Sequence, residues 1–317
     1  MDQQLSINVS HNIPEPGLIQ EVASQRNVSE AFIEKDWFAV QALKLISSNI
    51  SENENIQTIF SGGTSLSKGH GLIQRFSEDL DFRCHYIGSL SQGQRRNAKR
   101  ELRECLIRSL SIENFLMFNQ ELLQQSGKYF KFPLSYRKNT SIHDALRTDL
   151  ELEFSFTPPR LPPVSKPIIS MINEYLGEPA ETSISCMQSV EIGADKLSAL
   201  TWRVLKRDRT NINDDPTLVR HIHDLCALEH EISQHALQFK LIAITSFEGD
   251  QDIPNRDVNI GFVDSIGIMI DRLKSDLLYA QEYRQFAEAM SYADDDQQIT
   301  FDRAILSLER IASYVSD

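Results

Sequence analysis

Between Phe60 and Phe82 the chain reads F-S-G-G-T-S-L-S-K-G-H-G-L-I-Q-R-F-S-E-D-L-D-F. The pattern predicts a short strand, Gln57–Phe60, entering a tight turn at Gly62-Gly63. A short helix over Thr64–Leu72 follows, ended near Gly69 and Gly71, and the stretch closes with Asp79-Leu80-Asp81 at the next strand, Leu80–Tyr86. A glycine turn feeding a helix leaves N–H groups without helical partners at the positive end of the dipole, which suits phosphate. Alternate residues of a strand face the same way, so Asp79 and Asp81 project together. Two carboxylates side by side repel and are tolerated best with a divalent cation between them. Phosphate cradle plus metal-binding carboxylates is the minimum needed to transfer a nucleotide from a triphosphate. In that reading Gly62, Gly63, Thr64 and Ser65 bind the triphosphate, and Lys68, one turn after Thr64, reaches a phosphate.

The rest of the chain reads as α/β (α+β). Residues 29–49 carry Phe32, Trp37, Val40, Leu43 and Ile46 at helical spacing, and 92–110 is a second helix, charged on one side. The segment 128–136 reads as a strand, and Pro133 predicts that it lies at a sheet edge. Over 146–156 Leu150, Leu152 and Phe154 alternate with Asp149, Glu151 and Glu153, a strand with one apolar and one acidic face. Pro158, Pro159, Pro162 and Pro163 then mark a linker, which predicts a first domain over 1–160 and a second over 161–317. Ile184–Val190 reads as a returning strand, and 191–206, 215–233, 234–246, 264–290 and 301–315 as helices.

The pairing of G-G-T-S-L-S-K with R-F-S-E-D-L-D-F resembles the signature of the AbiEii/AbiGii-type nucleotidyltransferase toxins, within the DNA-polymerase-β-like superfamily. Three further segments resemble that family, in the same order: Ile33–Trp37 (I-E-K-D-W), Ala194–Leu200 (A-D-K-L-S-A-L) with Arg203, and Arg220–Leu225 (R-H-I-H-D-L). In the last, His221 stands where an aspartate is usual. The resemblance implies a polymerase-β-like domain with a mixed sheet, followed by a mainly helical C-terminal domain. It implies a site in the cleft between them, where Lys196 contacts the triphosphate and Asp224 supports it, with Arg203 and Arg220 as helpers. It also implies a third carboxylate beside Asp79 and Asp81, with Glu153 first and Glu151 second in order. The implied reaction is Mg²⁺-dependent transfer of a nucleoside monophosphate from an NTP to an acceptor hydroxyl, through a two-metal site held by Asp79, Asp81 and Glu153. The implied setting is the toxin of a bacterial type IV-like toxin–antitoxin system. A cognate antitoxin is the implied partner, and the acceptor is the 3′ end of tRNA or a protein.

Composition narrows the rivals. A 41% hydrophobic and 24% charged chain is that of a water-soluble globular protein. No apolar run approaches the roughly 20 residues of a membrane span, and residues 1–12 lack the basic and apolar regions of a signal peptide. The expectation is a cytoplasmic protein without a membrane partner. Cys84, Cys105, Cys186 and Cys226 are scattered and read as free thiols. A net charge of −13 argues against coating nucleic acid, although an RNA end can be gripped locally through Arg95, Arg96, Lys99, Arg100, Arg103 and Arg108, or through Arg203, Lys206, Arg207 and Arg209. Two other classes stay open. One is a catalytically inactive NTP-binding or partner-binding module of the same fold. The other is a metal phosphohydrolase built on His221, His223, His230 and His235.

Overall fold

The chain was obtained as a computed structural model that describes residues 13–50, 54–111, 116–141, 143 and 146–316. The signal-peptide expectation concerns residues 1–12, which lie outside the described residues. The elements run α1 (Pro16–Arg26), α2 (Glu30–Ile50), β1 (Ile56–Ser61), α3 (Gly62–Thr64) with a π-helical turn over Ser65–Gly69, β2 (Asp79–Tyr86), α4 (Gln92–Leu110), β3 (Leu116–Phe118), β4 (Gln124–Gln125), β5 (Tyr129–Tyr136), β6 (Leu150–Ser155), β7 (Val164–Ile168), α5 (Met171–Leu176) and β8 (Thr182–Cys186). Helices follow: α6 (Ser189–Lys206), α7 (Arg220–Ala227), α8 (Glu229–Gln234), α9 (Ala236–Gln251), α10 (Phe262–Ser275), α11 (Leu278–Phe286) and α12 (Phe301–Ser316).

The strands form one mixed sheet in the order β3-β5-β6-β2-β1-β8-β7, with β4 also pairing β5. The pairs β2–β6 and β1–β8 are parallel, and the others are antiparallel. The alternation expected in β6 is present: Leu150, Leu152 and Phe154 are buried and the residues between them are not. On that apolar face Phe154 stacks between Phe82 and Phe130, with ring centroids 4.7 Å from each. This face and the helices α1, α2 and α4 share one apolar core. The opposite, acidic face of β2 and β6 is turned toward α6.

Four sequence expectations are corrected, the first being that the helix expected over 264–290 breaks after Ser275 into α10 and α11. β5 is not an edge strand, because β6 lies on one side and β3 and β4 on the other. Proline is tolerated there because β3 pairs with 134–136 and β4 with 130–131, so Pro133 falls in the gap between two short neighbours. The returning strand ends at Cys186, and Ser189 already begins α6. The helix expected over 215–233 breaks at Leu228 into α7 and α8.

The prolines of 158–163 do not end the sheet, since β7 and β8 follow them. A second apolar core begins at Met187 and gathers the C-terminal helices, with Ile59, Leu66 and Ile73 from the first part of the chain. β1 therefore serves both cores through its two faces: Phe60 enters the first and Ile59 the second. Position 160 lies within the span of the sheet, and the change of core comes at Met187.

Candidate active site

Ser61 ends β1 opposite Asp81 of β2, and the chain then turns at Gly62 with φ of 74°. A Cβ on Gly62 would lie 2.0 Å from Oδ2 of Asp81 and 2.8 Å from its Cγ. Turn and carboxylate can share this space only if residue 62 has no side chain. Gly71 also has positive φ, 65°, but open space around it. Gly62→Ala should therefore lose clearly more stability than Gly71→Ala, whose cost is the left-handed backbone alone, about 1–2 kcal/mol. Equal losses in urea titration would show that Asp81 moves aside freely.

Thr64 donates its hydroxyl to the carbonyl of Asp79 at 2.6 Å, tying the turn to β2. Ser65 is fully buried and donates to the carbonyl of Phe60 at 3.4 Å. Both hydroxyl protons are thus engaged within the protein, and what the turn offers an anion is the backbone N–H groups of its first residues. Lys68 forms an ion pair with Asp36 and donates to the carbonyl of Ile169 at 3.4 Å. It is engaged under the turn.

The parallel register of β2 and β6 places Asp79 beside Glu151 and Asp81 beside Glu153. Their ion pairs differ. Asp79 meets Arg147 at 2.8 Å and Glu151 meets Lys131 at 3.2 Å, whereas neither Asp81 nor Glu153 has an ion pair among the described residues. Burial pushes the Asp81 carboxyl up to about 7, the charges of Asp79 and Glu153 add to this, and Lys196 and Arg83 oppose it. Burial also raises Asp79, with Arg147 opposing and Glu78 adding. Glu153 is raised by burial as well, with Lys131 opposing and Asp79 adding.

Lys196 comes from α6 and Asp224 from α7. Their side chains meet at 2.9 Å. Asp224 is wholly buried and accepts two further hydrogen bonds, both 2.7 Å, from Nε and Nη2 of Arg75. Burial alone would raise Asp224, but Arg75 and Lys196 hold it well below the usual carboxylate range. The segment that leads from the glycine turn to β2 is in this way joined to both C-terminal motif helices. Arg220 lies 3.7 Å from Glu78 and donates to the carbonyl of Phe286 at 3.0 Å. Arg203 pairs with Asp215, and the structure does not bring it to the carboxylates.

Sequence reasoning missed the supporting shell. Glu78 accepts from Lys35 at 2.6 Å and from the backbone N–H of Arg147 at 2.6 Å, which sets the approach to β6. Glu34, Lys35 and Asp36 are all buried on α2, and each is partnered: Glu34 with Asn139 and Thr140, Lys35 with Glu78, Asp36 with Lys68. The available signal was three consecutive charges inside an otherwise apolar helix. The second expected basic cluster is not a cationic surface, since Arg207 and Arg209 are neutralised by Asp214, Asp276 and Glu282. On α4 Lys99 and Arg103 are engaged with the 124–129 segment, while Arg96 and Arg100 stay exposed.

The donors at 79, 81 and 153 are all carboxylate oxygens, which suit a hard cation such as Mg²⁺ rather than a soft metal. Mg²⁺ usually keeps several waters and takes phosphate oxygens, so it does not require a closed protein cage. Among the described residues no three His, Cys, Asp or Glu side chains form a closed metal-binding cluster. His223 instead faces Asp224 at 3.4 Å, and His230 meets Gln234 at 2.9 Å.

The family model of nucleotidyl transferase AbiEii toxins of type IV toxin–antitoxin systems matches residues 45–307. The chain belongs to the AbiEii family. The matched span contains the glycine turn, the carboxylates of β2 and β6, Lys196 and Asp224 of this AbiEii-family protein, and it extends beyond them to α12. Ile33–Trp37 lies before it. Among solved structures the chain is similar to the MenT4 nucleotidyltransferase toxin of Mycobacterium tuberculosis H37Rv, with 17% identity, TM-score 0.47, and coverage of 94% of this chain and 98% of that one. It is also similar to a chain of the CdnC:HORMA-deltaN complex of E. coli MS115-1, with 12% identity, TM-score 0.28, and coverage of 94% and 88%. No curated protein matches it. Among the described residues no helix is long and apolar enough to cross a membrane.

Proposed function

We propose that this AbiEii-family protein transfers a nucleoside monophosphate from an NTP to an acceptor hydroxyl, with release of pyrophosphate. The observation that carries this is the register that sets Asp81 beside Glu153, both without an ion pair among the described residues, against the Gly62 turn. Asp79, Asp81 and Glu153 would hold Mg²⁺. When bound, that ion neutralises triphosphate charge and makes the attacking hydroxyl more acidic. The backbone N–H groups of Gly62, Gly63 and Thr64 face the phosphates, with Ser65 and Lys68 supporting the turn from beneath. Lys196, whose charge already acts on Asp81, meets the triphosphate as a point charge, and Asp224 and Arg75 position it. Glu153 accepts the proton of the acceptor hydroxyl. The two apolar cores act as two domains that meet at this cleft. The acceptor is an RNA end such as the tRNA 3′ terminus, approached by Arg96 and Arg100 of α4, and the setting is cytoplasmic with a cognate antitoxin as partner. Incubation with Mg²⁺, each labelled NTP and total RNA, followed by mass analysis of RNA and protein, tests this. No pyrophosphate release with any NTP would remove the transferase reading in favour of an NTP-binding module.

The two candidate third carboxylates separate cleanly. Glu151 is already paired with Lys131, and Glu153 has no ion pair among the described residues. Glu153→Gln should therefore slow single-turnover transfer by at least about 100-fold, the lower end for a positioned general base, and Glu151→Gln far less. The reverse order would hand the role to Glu151. Equal, small effects would leave the site to Asp79 and Asp81 alone.

A further inference from the structure

A cleft of about 510 Å³ opens among α7, α8, α12 and the segments 71–74 and 293–299. That size is in the range of small-molecule sites. None of Asp79, Asp81, Glu153 and Lys196 lines it. Two of its wall residues are sequence neighbours of the buried ion network: Gln74 precedes Arg75, and His223 precedes Asp224. His223 is only 2% exposed, its Nδ1 faces Asp224 at 3.4 Å, and its Nε2 has no hydrogen-bond partner among the described residues.

The wall is rich in donors. Gln74, His230, Gln297, Arg303 and Tyr314 line it with His223. Its one carboxylate, Glu229, is held by both nitrogens of the Arg310 fork. Arg303 has no ion pair among the described residues and donates only to the carbonyl of Gln298, at 3.3 Å. The uncompensated charge of the cleft is therefore positive, and it stands over a buried imidazole with a free nitrogen.

We propose that this cleft binds a small anionic metabolite, through a phosphate or carboxylate group, at a site separate from the catalytic one and coupled to it through His223. The neutral imidazole has a single N–H, which faces Asp224 from Nδ1, so an anion bound at Nε2 draws a proton from solvent onto that nitrogen. The resulting imidazolium donates to the anion from Nε2 and, as a cation, binds Asp224 more strongly through Nδ1. Asp224 then holds Lys196 less firmly, and NTP affinity changes. This coupling rests on the proposed role of Lys196. The binding itself does not.

Cys226 also lines the cleft and supplies the reporter. Cys84 and Cys186 are buried, so Cys105→Ser leaves Cys226 as the accessible thiol. Its alkylation by iodoacetamide is followed by mass spectrometry with inorganic phosphate or citrate at matched ionic strength. One or both anions should slow labelling severalfold, and which of them does so assigns phosphate or carboxylate. Arg303→Glu, an exposed substitution, should abolish the protection, and Lys196→Ala should keep it. No protection by either anion overturns the proposal. So does protection that survives Arg303→Glu but vanishes in Lys196→Ala, since the anion then sits in the catalytic cleft. With a protecting anion bound, apparent NTP affinity should change by about fivefold, the low end of allosteric coupling. Unchanged affinity with intact protection overturns the coupling and leaves the transferase proposal standing.

Discussion

Asp81→Asn should yield a folded protein whose transfer rate is lower by at least about 1,000-fold, the upper end of the loss when one preorganised electrostatic group is removed. Asparagine keeps the shape that packs against Gly62 and removes only the charge opposite Glu153. Stability should move the other way. The Asp81 carboxyl is raised by burial from 3.8 to about 7, so the folded state prefers it protonated. Its contribution to stability is complete below the unfolded value and is lost as pH rises toward 7. Asparagine mimics the protonated form at every pH. Without divalent cation, the variant should match the wild type near pH 4 and exceed it increasingly up to pH 7. With Mg²⁺ the order should narrow or reverse, because a ligand that binds only the folded wild type stabilises it by mass action. Thermal melts across this pH range, with chelator and with Mg²⁺, test both signs. A variant that tracks the wild type at every pH and ignores Mg²⁺ just as the wild type does would place the cation elsewhere.

The parts of this site written in contiguous residues were legible. The apolar run before G-G-T-S and the D-L-D after it mark a strand, a turn and a second strand by local pattern alone, and L-E-L-E-F-S alternates with the period of a strand. The pairing of those two strands was not legible, because register depends on a parallel crossover between residues far apart in sequence. That register is what separates Glu153 from Glu151. Pro133 misled for a related reason: proline excludes a ladder bond on one side only, and two short partner strands can leave that side vacant without making an edge. The expected basic cluster at 203–209 failed because Asp276 and Glu282, brought from α11 and its approach, neutralise it. Thr64, Ser65 and Lys68 show the same limit. Their types suit phosphate, but their actual acceptors, Asp79, Phe60 and Asp36, are set by packing. Arg75 was present in the motif string, yet only the fold shows that it is the arginine that reaches Asp224.

Asp224→Asn should be among the most destabilising single substitutions in the chain, at about 3–5 kcal/mol, the cost of breaking a buried pair from one side. The carboxylate is wholly buried and faces two cations, Arg75 and Lys196, whose side chains are 3% and 10% exposed. Removing its charge strands both. Adding Arg75→Met should recover part of the loss, because one of the stranded cations goes with it, while Lys196 still feels Asp81. The pH dependence has the opposite sign from that of Asp81. Arg75 and Lys196 overcome burial and hold Asp224 well below 3.8, so its contribution is present at neutral pH and is lost only as pH falls through that depressed value. The wild type should therefore converge on Asp224→Asn in strong acid, where the Asp81 pair has already converged. Transfer should fall together with stability, and the form of the fall is informative. With Lys196 no longer held, KM for NTP should rise and kcat should fall, as in Lys196→Ala. Urea titration of the single and double variants and steady-state kinetics on the surviving folded protein make both measurements. A double variant no more stable than Asp224→Asn would mean that Arg75 and Asp224 do not act as a pair. An Asp224→Asn enzyme with unchanged KM would separate Lys196 from the triphosphate and leave the ion network as a purely structural link between the sheet and the helical half.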